Sequence, residues 1–465
     1  MYVRLWNPLT PHPSRLTPDS AVSSTVTRWI LFLFLLLPLA AQAGPQIEQW
    51  QTQNGARVYF VAAPELPMVD VRMVFDAGSA RDGGKPGLAA LTNGLLDDGA
   101  KTADGELNAD QIAERFADLG AQFGTGADRD MASISLRSLT KSELLQPALQ
   151  TVATILTQPS FPQNGFEREQ SRVLTHLQAQ EQSPGEIAGK TFFKAVYGEH
   201  PYATQALGNP DSIKQLTRDD LIAFHNRYYV ARNAVVAIVG AVTRKEAEAI
   251  AGTLAGKLPE GEAAPALPKV AGLESAQNVQ IPYSSAQTHI LVGQPGISRN
   301  DPDYFPLVVG NHILGGNGLV ARLAEEIREK RGLSYSTYSY FQPMREPGPY
   351  TLGLQTRNEQ TEAALKVLRD TLKNYVENGP TPAELKAAKQ NITGGFALRI
   401  DSNANLLDYL ALIGFYQLPL DYLDGYNRKV EQVTLEQIRD AFKRRIKPEQ
   451  MVTVIVGGGA QANQN

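Results

Sequence analysis

The chain has 465 residues, with 44 Lys plus Arg against 48 Asp plus Glu, a formal net charge of −4 and a pI of about 6.0. That balance gives no electrostatic reason to expect nucleic acid as a partner, and the absence of cysteine excludes disulfides, thiolate metal sites and a cysteine nucleophile. At 43% apolar and 20% charged the composition is that of an ordinary globular protein, long enough for roughly two to four domains, and its six His leave a short list for any His-based metal site.

Residues 1–43 read as a secretory signal peptide. Arg28 precedes the apolar run Trp29–Leu37, which continues through Pro38, Leu39 and Ala40 to Ala41-Gln42-Ala43, an A-x-A cleavage site. The run is about a dozen residues, short of the roughly 20 that span a bilayer. No stable membrane insertion is therefore expected after cleavage, and lipoprotein anchoring is excluded because no cysteine is available. The segment ahead of Arg28 is long for such a signal, so a start downstream of Met1 stays open. The expected address is a bacterial periplasm.

The remainder reads as two copies of one design. Leu216–Arg227 has helical apolar spacing and is followed by Ala234-Val-Val-Ala-Ile-Val-Gly240, a β-rich run ended by Gly. Val433–Arg444 and Met451-Val-Thr-Val-Ile-Val-Gly457 repeat this order without gaps, so that Thr217 meets Thr434 and Arg227 meets Arg444. Between the copies lies Pro259-Glu-Gly-Glu-Ala-Ala-Pro265-Ala-Leu-Pro268-Lys, aperiodic and rich in Pro, Gly and Ala, which reads as a linker over 259–272. The halves are then 44–258 and 273–457, with 458–465 a disordered tail. Strands are expected at Val69–Phe75 and His289–Val292, and helices over 107–119, 141–157 and 361–377. The fold class that follows is α+β: two homologous sandwich domains, each with helices on one face of a sheet.

In the first half, Phe75-Asp-Ala-Gly78-Ser leads into Gly87-Leu-Ala-Ala90-Leu-Thr-Asn93-Gly94. This segment resembles the pitrilysin/insulinase-type zinc peptidases, the inverzincins, in which a strand and a Gly-Ser turn precede a helix carrying H-x-x-E-H. Two His four apart share one helical face and grip Zn²⁺, and the Glu activates the bound water. Here the His positions fall on Ala90 and Gly94 and the Glu position on Asn93. Ala90 and Gly94 have no ligand atom and a neutral Asn93 cannot accept the water's proton, although Leu88, Leu91 and Leu95 keep the helix's apolar stripe. The resemblance implies a third ligand on a later helix, seven residues after a Glu. Glu169 is followed at that spacing by His176, and one His is not a site. His200-Pro201-Tyr202, Gly208 and Ile213 continue the resemblance, which leaves His200, His225, His289 and His312 as framework positions.

The second half contains Leu314-Gly-Gly-Asn-Gly-Leu319 running on to Arg328-Glu-Lys-Arg-Gly332-Leu-Ser-Tyr335. Leu319, Leu323 and Ile327 predict a helix over 318–331, supported by a Glu326–Lys330 pair and stopped at Gly332, and Leu333–Phe341 predicts a strand. The stretch is similar to the family's second-domain segment holding an Arg and a Tyr seven apart, here Arg328 and Tyr335. In the family these donate hydrogen bonds to the peptide carbonyl as it gains negative charge.

A vacant zinc helix beside an intact Arg/Tyr pair is the pattern of a non-catalytic subunit. The resemblance implies a clamshell half with no metal or cofactor of its own, paired with a homologous zinc-bearing subunit and acting on peptides through Arg328 and Tyr335 in trans. Peptide binding or scaffolding without hydrolysis is the alternative expectation.

Overall fold

The computed structural model describes residues 45–459; the expected signal peptide and the last residues of the tail lie outside them. In the first half the strands are β1 (Glu48–Gln51), β2 (Arg57–Ala62), β3 (Met68–Phe75), β4 (Gly99–Thr102), β5 (Gly105–Asn108), β6 (Gln122–Ala127), β7 (Ala132–Leu139) and β8 (Ala234–Gly240). Strands β4 and β5 form a separate ribbon, and the others form a sheet in the order β1-β2-β8-β3-β7-β6. The second half supplies β9 (Gln277–Ile281), β10 (Gln287–Pro295), β11 (Thr337–Phe341), β12 (Pro349–Arg357) and β13 (Val452–Val456). These form a sheet in the order β9-β13-β10-β12-β11.

Without β1, the two sheets have the same plan. The pair β2·β8 is parallel and so is β9·β13, while every other neighbouring pair is antiparallel. The helices ahead of β8 and β13 also match. Arg218–Tyr228 and Leu435–Arg445 each start in a reciprocal capping box, on Thr217 and Thr434 respectively. No helix or strand occurs over 259–272. The helices at Ala109–Asp118, Ser142–Thr157 and Thr361–Asn378 match the stretches whose spacing predicts them to within two residues at each end.

Each sheet is covered on both faces, which departs from the expected single helical face. Alternate residues of β2 and β8 belong to different cores. Val58, Phe60, Val236 and Ile238 pack with helices of the first half, whereas Tyr59, Val61, Val235 and Ala237 pack with the second half. The cover on that second face is the helix Asn403–Tyr416, whose Gly414 lies against Tyr59 and Val235 and whose Gly414 carbonyl accepts from Arg57 at 2.9 Å. In return, the first-half helix Pro184–Tyr197 lays Phe192 and Val196 against Val452, Val454 and Val456 of β13. The exchange explains why β8, Ala-Val-Val-Ala-Ile-Val-Gly, is apolar at every position and wholly buried.

Candidate functional site

Strand β3 ends at Phe75, and the chain turns into the helix Leu88–Gly94. Gly87 takes φ +95° at the helix start, a conformation that favours glycine. The buried Asp82 carboxylate accepts from the Gly87 and Ala89 N–H groups, both at 2.8 Å. Burial raises this carboxyl to about 7, with the two N–H bonds acting against the rise. Leu88, Leu91 and Leu95 are buried, so the apolar stripe seats the helix as predicted.

The three positions of the zinc motif hold nothing that binds metal. Gly94 is exposed, Ala90 is half-buried, and Asn93 is 1% exposed. The Asn93 amide donates to the Tyr229 hydroxyl at 3.1 Å and to the Ser133 carbonyl at 3.3 Å. Tyr229 is itself buried between Phe75, 4.7 Å away, and His225, 4.9 Å away. Asn93 has thus become part of the framework. Among the described residues no three His, Asp or Glu side chains are grouped to hold a metal ion, and the side chains present do not fit zinc.

The structure also separates the two residues of the third-ligand spacing, neither of which the sequence offers as a metal site. The sequence spacing puts His176 at the third-ligand position, yet Glu169 is the residue that faces the vacant helix. A Cβ on Gly94 would lie 3.8 Å from the Glu169 Oε1, with nothing else within 4 Å. Both residues lie on the helix Gln163–Gln180. Seven residues are about two turns, or roughly 10 Å of rise, so the two sit well apart along the helix axis. His176 is exposed, with its ring 3.1 Å from the Gln180 amide. The Glu169 carboxylate is already engaged by Arg172, at 2.5 and 2.7 Å.

The Arg/Tyr segment is built differently from the predicted helix and strand. The helix Tyr304–Asn311 widens into a π-turn, His312–Gly316. A short 3₁₀ turn, Gly318–Val320, follows, leaving Leu319 and Val320 exposed. The next helix begins only at 322 and is π-wound over Ala324–Glu329. Such wide turns recur at functional sites. Leu323 and Ile327 are fully buried beneath it.

Arg322 ties this helix down with a two-pronged contact to Glu384, at 2.5 and 2.6 Å. Glu384 also caps the helix Pro382–Phe396. Burial works to raise the Glu384 carboxyl, but the hydrogen bonds from Arg322 and Thr381 outweigh it and hold it at about 2. The predicted Glu326–Lys330 pair is present at 2.7 Å.

Arg328 and Tyr335 come together: the guanidinium lies 4.7 Å from the centre of the Tyr335 ring. Gly332, at φ +60°, ends the helix. Tyr335 then sits in a loop and not on the predicted strand, which starts only at Thr337. The cause is local. The Ser334 hydroxyl lies 2.7 Å from the Ser336 carbonyl and 2.6 Å from that of Gln355, folding the chain before it can extend. Tyr335 is 82% exposed, the highest value among the large apolar and aromatic side chains of the described residues.

A groove of about 410 Å³ runs between the π-turn and β11, lined among others by Asn311, His312, Thr337, Tyr338 and Tyr340. Asn311 donates to the Ser339 carbonyl at 2.9 Å and so blunts this sheet edge. The His312 Nε2 and the Thr337 Oγ1 are buried without hydrogen-bond partners, and burial lowers the His312 pKa. The rings of Tyr338 and Tyr340 stack at 5.8 Å. The sequence reading missed this groove. Its available signal was the alternation Thr337-Tyr-Ser-Tyr-Phe341 directly after the motif.

Comparison with known proteins agrees with this geometry. Residues 57–210 match the family model described as Insulinase (Peptidase family M16), and residues 215–392 match the Peptidase M16 inactive domain. The crystal structure of a peptidase M16 inactive domain from Pseudomonas fluorescens is 41% identical, covers 88% of this chain and 97% of its own, and superposes with a TM-score of 0.85. An uncharacterised zinc protease of Bacillus subtilis is 24% identical over 425 residues, 89% of this chain and 99% of the relative. A Helicobacter pylori protein named a non-peptidase homologue is 24% identical over 434 residues, 92% and 98% of the two chains. Complex III2 from Candida albicans shares the fold, at 16% identity over 89% of this chain and 96% of its own, with a TM-score of 0.72. The chain belongs to the insulinase, or M16, peptidase family, as an inactive homologue whose zinc helix carries no metal ligand.

Proposed function

We propose that this chain is the metal-free subunit of an exported peptidase pair. It joins a homologous zinc-bearing subunit in a bacterial periplasm, and its Arg328 and Tyr335 act on the peptide held between them. The observation that carries this reading is the contrast within one chain. Arg328 and Tyr335 are stacked at the surface, while Ala90, Asn93 and Gly94 offer no ligand. The partner would supply the metal and its activated water. This chain would hold the peptide and donate hydrogen bonds from a guanidinium and a phenol to its backbone carbonyls. The groove beside β11 has the stacked rings of Tyr338 and Tyr340 to receive further peptide.

The test is reconstitution. The purified chain alone is expected to contain no stoichiometric zinc by elemental analysis and to cleave no peptide. Mixed with a zinc-bearing homologue from the same organism, it is expected to form a stable complex that hydrolyses peptides. Tyr335→Phe should lower the turnover of the mixture by roughly 10²–10³; an undiminished rate would remove Tyr335 from the chemistry. A second reading, peptide binding without hydrolysis, draws on the Helicobacter pylori relative's description as a non-peptidase homologue. Failure of every zinc-bearing homologue to bind would favour it.

A further inference from the structure

Asp130 lies in the turn between β6 and β7 and is 3% exposed. Its Oδ1 accepts from the Tyr202 hydroxyl at 2.6 Å. Its Oδ2 accepts from the Tyr416 hydroxyl at 2.8 Å and from the Arg345 backbone N–H at 2.7 Å. The Tyr202 hydroxyl in turn accepts from the Glu346 N–H at 3.1 Å, and the Tyr197 hydroxyl donates to the Pro347 carbonyl at 3.1 Å. Arg345, Glu346 and Pro347 form the loop between β11 and β12. The pairs β6–β7 and β11–β12 occupy the same places in their two sheets. The turn of one hairpin therefore grips the loop of its counterpart, and Asp130 is the point where the donors converge.

The residues gripped bear on the site. Strand β11 begins two residues after Tyr335 and forms one wall of the groove. Two backbone N–H groups of its loop, that of Glu346 buried and that of Arg345 partly so, are satisfied across the seam, and leaving them unpaired there would be costly. We propose that Asp130 is a clamp through which the metal-free first half serves as the rigid mount for the β11–β12 hairpin. The clamp is a property of the folded chain and stands whether or not Arg328 and Tyr335 take part in hydrolysis.

Hydrogen exchange on the full chain, read by mass spectrometry, tests it. In Asp130→Asn, the amides of Arg345 and Glu346 should exchange faster on the order of tenfold, with β8 and β13 unchanged. A merely stabilising residue would accelerate exchange across the whole chain. Unchanged exchange at 345–346, or a uniform increase, would overturn the proposal. Should Asp130→Asn not fold, Tyr416→Phe removes one donor and keeps the ring. It should give the same local pattern at about threefold, and its absence would count equally against the clamp.

Discussion

The helix at 88–94 and the segment at 322–335 show two fates for residues at a site. In the first, Asn93 occupies a position where the family places a catalytic Glu, and it has been absorbed into the core through Tyr229 and Ser133. In the second, framework duties fall on Leu323, Ile327 and the Arg322–Glu384 pair. Tyr335 is left with no burial to maintain. The difference teaches that the fold now depends on the residue that lost its chemistry and not on the Tyr proposed to keep it.

Substitutions can break or sharpen that contrast. Asn93→Glu restores the family's residue yet puts a charge at a 1% exposed position beside a buried phenol. It should cost about 3–5 kcal/mol in urea unfolding. Asn93→Ala, which leaves the Tyr229 hydroxyl unpaired, should cost about 1–3 kcal/mol. If either were neutral, the absorption of Asn93 into the core would be wrong.

Acid should come next. Glu384 is held at about 2 against an ordinary 4.5. Asp303 is likewise held at about 2 against 3.8, chiefly by Arg444 and against the pull of burial. A carboxyl lowered on folding stabilises fully above its ordinary value and loses that contribution as pH falls through the folded one. Unfolding free energy should therefore drop between about pH 4.5 and 2. Arg322→Ala should shallow that slope, as measured by denaturant titrations across the range. The smallest effect is expected from Tyr335→Ala, within about 0.5 kcal/mol of the parent in the same assay. A larger loss would give Tyr335 a structural role.

Much of the architecture was legible because duplication leaves local marks. Thr217 and Thr434 open matching helices with capping boxes, and each is followed by an apolar strand ended by Gly. The reciprocal cover of the sheets was not legible. Continuous apolarity in β8 reports burial on both faces but not the identity of the cover. At the site, the spacing of Arg328 and Tyr335 was readable and their contact was not, since it depends on a π-wound helix and on Ser334 turning the chain. Counting residues along a helix relates Glu169 to His176 without showing which of them faces the vacant zinc helix. Only the position of Gly94 beside the Glu169 carboxylate shows that Glu169 is the one.

The exchange of Pro184–Tyr197 for Asn403–Tyr416 imposes a timetable on assembly. While the chain is being made, the first sheet cannot hide Tyr59, Val61 or Val235 until a segment more than 150 residues downstream arrives. Until then one greasy face of the sheet is open to strangers, and contacts this distant in sequence close slowly. Nascent intermediates of this molecule should accordingly be strong clients for holding chaperones, and neither half made separately should stay in solution unless the other is supplied.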